Sequence, residues 1–149
     1  LASEADRINM LAVALSGFDN FEIDDCEFKR EGKSYTYDTV VYLKNKYPED
    51  DFYLIVGEDQ YLFFDKWYRY EDILKLTTVV TACRHINRYR ELLQYKSSHI
   101  KMKNSIVSDF DVIEVSSSQI RAEIKAKKDI SSLVPDGVEK YIKEHGLYV

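Results

Sequence analysis

Proline and glycine are scarce: two Pro and five Gly in 149 residues, too few for a loop-dominated fold or a low-complexity linker. Cysteine is equally sparse. Cys26 and Cys83 stand far apart, with neither C-x-x-C nor Cys/His spacing, which argues against a structural zinc motif and a disulfide framework; two buried thiols in a reducing compartment are the expectation. No apolar run approaches the ~20 residues of a membrane span, and no signal-peptide pattern opens the chain. A membrane is therefore not an expected partner, and the cytoplasm is the expected location. Positive charge is not in excess either. A formal charge of −5 supplies no basic field to displace counterions, so nucleic acid is not an expected partner. A nucleotide, which needs only a few local donors, is not excluded, and association between copies is left open.

What remains is a globular composition, 45% hydrophobic and 32% charged, of a length suited to one domain over residues 1–149 with a single core. From Ser3 to Ser16, Ile8, Leu11, Ala12 and Leu15 recur at helical spacing, with Ser3 as cap and Glu4 and Asp6 in the first turn. Residues 21–28 are expected to be extended with a bulge or bend. A helix follows with Thr36 as its cap, Val40, Val41 and Leu43 facing the core, and Pro48 as its stop. The continuous apolar run "FYLIVG" (52–57) reads as a parallel strand covered on both faces. Helical turns near Gln60–Phe64 and Glu71–Leu74, a strand over 77–84 and a helix over Arg88–Tyr95 come next. "HIKMK" (99–103) and "DVIEV" (111–115) are strand candidates. Helices over Ser118–Lys127 and Asp136–Glu144 close the chain, the latter between Pro135 and Gly146. Short apolar strands alternating with helices predict an α/β fold with a parallel sheet.

Four stretches could carry chemistry. "GED" (57–59) follows a strand, at the corner where open parallel sheets bind ligands; Gly57 permits close backbone approach and Asp59 could accept from a ribose or an amine, or the pair is an ordinary turn. "KWYRY" (66–70) holds the single Trp; Trp67, beside Tyr68 and Arg69, is either a core residue or a flat wall for an aromatic ring. "SYTYDT" (34–39) sets hydroxyls at a helix start, where free N–H groups favour an anion or where Thr36 simply caps. In "VSSSQIR" (115–121), backbone amides, the hydroxyls of Ser116, Ser117 and Ser118, and the Arg121 guanidinium converge on one anion such as a phosphate, unless the run is a solvated cap.

In order, "DRINML", "CEFKREGKSYTYDT", "YLIVGEDQ", the Trp67–Tyr68 pair, "VVTACR", "VSSSQIR" and "LVPDGVEKYIKEHGLY" resemble the bacterial nicotinate-nucleotide adenylyltransferases, from about Asp6 to Tyr148. The resemblance implies a Rossmann-like nucleotidyltransferase fold, with a parallel sheet and helices on both faces. It implies transfer of AMP from ATP to nicotinate mononucleotide, giving deamido-NAD and pyrophosphate with Mg²⁺ accompanying ATP. By position it implies that Thr36 and Tyr68 present backbone amides to the nicotinate carboxylate and that Trp67 stacks on its ring. Gly57 and Asp59 would line the adenosine pocket, and Ser117, Ser118 and Arg121 would hold the ATP phosphates. Arg84 corresponds to a family position close to the bound nucleotides.

The family also opens with a strand, a "GGTFDP"-type loop and an H-x-G-H motif whose histidines stabilise the transition state. Neither motif occurs in these residues, and His85, His99 and His145 are spaced otherwise. The expectation is that the 149 residues lack the first βα unit, contain no catalytic or metal-ligating residue of that family, and do not transfer AMP alone. An adenylyltransferase of the phosphopantetheine type and a non-catalytic nucleotide-binding module are the alternatives; "SYTYDT" and Trp67–Tyr68 speak against the first.

Overall fold

A computed structural model of the chain describes residues 2–83, 86–108 and 115–149. It forms two compact units, one of Leu1–Lys29 with Glu114–Val149 and the other of Arg30–Ile113.

The Arg30–Ile113 unit is α/β. Its helix α2 (Thr36–Lys46) precedes strand β1 (Tyr53–Val56), the short helix α3 (Glu58–Tyr61), a 3-10 turn over Phe64–Lys66, and helix α4 (Tyr70–Leu76). Strand β2 (Thr78–Ala82), helix α5 (Ile86–Ser98), a second 3-10 turn (Ile100–Met102) and strand β3 (Ile106–Ser108) complete it. The sheet is parallel in the order β1-β2-β3, with Ile55 opposite Val80 and Val80 opposite Ile106. Alternation on the pleat turns Val79 and Thr81 inward, where they join Val56, Tyr61, Phe64, Ile73, Leu92 and Met102 in the core. Most polar groups inside it are paired locally, the buried Thr81 hydroxyl being without a hydrogen-bond partner among the described residues. Ser105 donates to the Met102 carbonyl and sits 2.5 Å from the Tyr61 hydroxyl. The Tyr95 hydroxyl donates to Asp65 at 3.0 Å, and burial pushes this phenol up to about 12.

Three expectations are corrected here, and a fourth lies outside the described residues. β1 is covered on one face only: Tyr53 and Ile55 are 62% and 79% exposed, because no described element packs against that side. "HIKMK" is a 3-10 turn, its apolar alternation serving to bury Met102 while Ile100 stays exposed; the strand lies further on, at Ile106–Ser108. Tyr35, not Thr36, is the N-cap of α2, and no side chain caps it; Thr36 is the first helical residue. The 111–115 strand candidate falls on residues 111–114, outside the described residues.

The other unit is helical: α1 (Glu4–Leu15), α6 (Ser117–Lys125) and α7 (Asp136–Glu144). Ser3 caps α1 through a reciprocal box in which the Asp6 N–H donates to Ser3 Oγ and Asp6 accepts from the Ser3 N–H and hydroxyl. Ile130, Val138 and Ile142 form its small core, with Met10, Val13, Ala14, Ile120 and Ile124 against them. The α1 face therefore differs from the expected one: Met10, Val13 and Ala14 pack inward, while Leu11 is half exposed and Ala12 exposed. The cause is the approach of α7, where a Cβ on Gly137 would lie 2.5 Å from Val13 Cγ1. Residues 21–25 have no regular structure and 26–29 form a turn rather than a bulged strand; Cys26 is half-buried, unlike the buried Cys83.

Candidate functional site

Chemistry-bearing residues gather in three places, two in the Arg30–Ile113 unit and one in the helical unit. In the first, the start of α2 meets the turn before α4. Tyr35 and Tyr37, on either side of Thr36, both lean on Tyr68, with ring centroids 4.5 and 6.3 Å apart. Tyr68 is half exposed. Trp67 is half-buried, with its ring 4.9 Å from the buried Phe64. The Tyr70 N–H closes the turn onto the Trp67 carbonyl at 3.1 Å, and Arg69 takes a left-handed φ of 54° within it, a conformation that a non-glycine residue adopts at a cost of roughly 1–3 kcal/mol. The Arg69 guanidinium lies 4.0 Å from the centre of the Tyr37 ring and pairs with Asp72 at 2.8 Å. Lys75 and Arg69 together hold the Asp72 carboxyl below its usual range. Among the described residues the N–H groups of Thr36 and Tyr68 meet no acceptor. The folding of the chain thus brings the Thr36 and Trp67–Tyr68 stretches together around an aromatic, cation-bordered face.

The second place is the β1–α3 corner. Gly57 is the N-cap of α3 at φ −65°, and a Cβ there would meet nothing within 4 Å among the described residues, so neither backbone conformation nor packing among those residues demands this glycine. Asp59 is exposed and its Oδ1 accepts from Arg88 Nη2 of α5 at 2.6 Å. Glu58 is buried, 6% exposed, with its Oε1 3.5 Å from Arg88 Nε. Glu58 and Arg88 were not legible as parts of this corner: the partners are 30 positions apart, and only the packing of α5 joins them. The rings of Tyr35 and Tyr37 were missed for the same reason. Arg84 lies outside the described residues.

The third place is the start of α6. Ser116 is the N-cap, its Oγ accepting the Gln119 N–H at 3.1 Å, so the helix begins one residue earlier than expected. Among the described residues the N–H groups of Ser117 and Ser118 meet no acceptor. Arg121 Nη2 reaches Ser118 Oγ at 3.3 Å. Ser118 and Arg121 line a cavity of about 560 Å³ together with Lys125 and Tyr148, so two cations face one hollow. Ser117 turns instead to a smaller groove of about 160 Å³ between Arg121 and the apolar Met10, Val134 and Val138. The two serines are one residue apart on the helix and so point in different directions.

Residues 1–123 match the family described as cytidylyltransferase-like. The chain is 35% identical over 143 residues to the nicotinate-nucleotide adenylyltransferase of Bacillus subtilis, covering 95% of this chain and 70% of that protein. It is 40% identical over 147 residues to the probable nicotinate-nucleotide adenylyltransferase of Borreliella burgdorferi, covering 99% and 72%. The fold is that of Plasmodium falciparum nicotinic acid mononucleotide adenylyltransferase solved in complex with APC. That structure superposes with a TM-score of 0.74 at 19% identity, covering 99% of this chain and 77% of that one; the same enzyme in complex with NaAD gives 0.74 over 99% and 75%.

Proposed function

Since the chain belongs to the nicotinate-nucleotide adenylyltransferases within the cytidylyltransferase-like family, we propose that it serves AMP transfer from ATP to nicotinate mononucleotide in NAD biosynthesis. A phosphate oxygen of the mononucleotide attacks the α-phosphorus of ATP. The bond from that phosphorus to the pyrophosphate oxygen breaks, and deamido-NAD and pyrophosphate leave. No covalent enzyme intermediate is needed; the protein's share is positioning and charge stabilisation.

The observation that carries this reading is the meeting of Tyr35–Thr36–Tyr37 with Trp67–Tyr68. Two free N–H groups beside a partly exposed indole suit a flat ring bearing a carboxylate: the amides of Thr36 and Tyr68 take the carboxylate and Trp67 stacks on the ring. Gly57 leaves room for a nucleoside at the β1–α3 corner, where Asp59 accepts from its ribose. Ser118 and Arg121 take ATP phosphates by charge-assisted hydrogen bonds, and Ser117 contributes its N–H; Arg84 lies near the nucleotides by its place in the sequence. Among the described residues no three His, Cys, Asp or Glu side chains converge as a metal cage. Mg²⁺ enters as part of the Mg–ATP substrate, held by phosphate oxygens, as this ion commonly is. One nucleotidyltransferase domain over residues 1–149, working in the cytoplasm where such nucleotides reside, completes the proposal.

Trp67 is the only Trp, so indole emission reports on one site. Nicotinate mononucleotide is expected to quench it saturably, and phosphopantetheine is not. Trp67→Ala lowers mononucleotide affinity by about 1–3 kcal/mol, as for base–aromatic stacking, with a small change in melting temperature, while Trp67→Phe keeps part of the affinity. A titration in which phosphopantetheine quenches as well, or a melting temperature that collapses in Trp67→Ala without any quenching in the parent, would overturn the assignment.

A further inference from the structure

The proposed function leaves Arg88 unused, although it has the most ion-pair partners in the Arg30–Ile113 unit among the described residues. Each edge of its guanidinium faces a different carboxylate. Nη2 donates to Asp59 Oδ1 at 2.6 Å, Nη1 donates to Glu91 Oε2 at 3.1 Å, and Nε lies 3.5 Å from Glu58 Oε1. A guanidinium is planar and its donors are fixed in direction, so these contacts set the orientation of the acids as well as their charge. Glu91 is one turn along the same helix and anchors the fork. Glu58 and Asp59 belong to the corner that follows Gly57.

We infer that Arg88 is a positioning residue for the nucleotide, holding Asp59 by one carboxylate oxygen so that the other is presented to the ribose, and offsetting the acidity of Glu58 and Asp59 beside a polyanionic ligand. The inference rests on the reading of Asp59 as a ribose acceptor. Asp59 Oδ1 is the atom that Arg88 holds, which leaves Oδ2 for a hydroxyl donor. Without the guanidinium the corner loses a cation and Asp59 loses the donor that fixes it, so Asp59 can swing outward, since its side chain is 72% exposed and has little packing to restrain it. ATP, carrying several negative charges, would meet that acidity; nicotinate mononucleotide, bound at the Thr36–Tyr68 face, would not depend on it.

The test measures ATP binding by calorimetry and nicotinate mononucleotide binding by Trp67 fluorescence in Arg88→Gln, Arg88→Lys and Asp59→Ala, each with a melting curve. Arg88→Gln is expected to weaken ATP about five-fold, the upper size of a partly exposed ion pair. The loss should be larger at low salt than at high salt, with mononucleotide affinity unchanged. Arg88→Lys restores the charge but not the fork, and recovers only part of the loss. Equal weakening of both ligands in step with a lower melting temperature would make Arg88 a merely structural residue and overturn the inference. So would unchanged ATP affinity in Arg88→Gln while Asp59→Ala weakens it, an outcome that leaves the ribose reading intact. If Asp59→Ala itself leaves ATP affinity unchanged, the ribose reading fails, and this inference with it.

Discussion

The two units carry comparable polar residues on unlike foundations. In the Arg30–Ile113 unit, Thr36, Gly57 and Trp67 stand at the ends of elements around a core in which Tyr61, Phe64, Ile73, Val79, Leu92 and Met102 are fully buried. In the helical unit, Ser117, Ser118 and Arg121 ride on a helix without a single buried residue, and the core beneath is Ile130, Val138 and Ile142. The first set is held by volume; the second is held by a cap and by close backbone approach. Substitutions should therefore fail in different ways: by cavity in one unit, by collision or loss of a terminal hydrogen bond in the other.

The largest effect is expected where volume matters most. Phe64→Ala empties a fully buried site against which Trp67 and Tyr70 pack, and should cost about 3–5 kcal/mol of stability in denaturant unfolding. Because Trp67 loses its backing, its emission should shift to the red even in the folded state. A loss below about 1 kcal/mol would mean that the Arg30–Ile113 core is not the rigid support that this contrast requires.

Collision comes next. In Gly137→Ala the new methyl meets Val13 Cγ1, and a valine in a helix has little rotamer freedom with which to yield. A destabilisation of about 1–3 kcal/mol is expected from overpacking. Val13→Ala should restore most of it, and the coupling in a double-mutant cycle is the measurement. Additive losses would show that α1 and α7 do not meet through this pair.

The smallest effect is pH-dependent. Asp6 is held below the usual carboxylate range, chiefly by the Ser3 hydroxyl and next by the Tyr141 hydroxyl, which donates to its Oδ1 at 3.0 Å. A carboxyl whose folded pKa is depressed stabilises the fold above its unfolded pKa, and that contribution disappears as pH falls through the folded value. Asp6→Asn should thus melt below the parent at neutral pH, and the two curves should converge in acid, below the ordinary carboxylate range. A gap that persists there would assign the loss to packing rather than to the charge on Asp6.

What was legible in the residues, and what was not, follows the same contrast. The apolar runs at 52–57 and 77–84 marked β1 and β2, since short runs rich in β-branched residues favour extended backbone whatever they pair with. Pro135 and Gly146 bracketed α7, and the serine run marked α6, because capping and breaking are local chemistry. "HIKMK" misled because Ile100 and Met102 alternate as in a strand, whereas the 3-10 turn repeats every three residues and buries Met102 alone of the two. The true third strand is only three residues long and is defined by its pairing with β2. Thr36 was misplaced as a cap because the ring packing of Tyr35 on Tyr68, which accompanies the extended backbone of Tyr35, lies outside the local stretch.

By itself the sequence determined the α/β pattern, the serine cap of α6, the family, and the identity of the stretches that carry chemistry, because each rests on residue type and short-range order. Only the tertiary structure decided which α1 face is buried, that Tyr35 and Tyr37 close on Tyr68, that Ser117 and Ser118 look into different hollows, and that Arg88 reaches the acids after Gly57. Those facts depend on which elements meet, on helix phase and on side-chain reach, and pairings between residues as far apart as Asp59 and Arg88 leave no periodic trace in the chain.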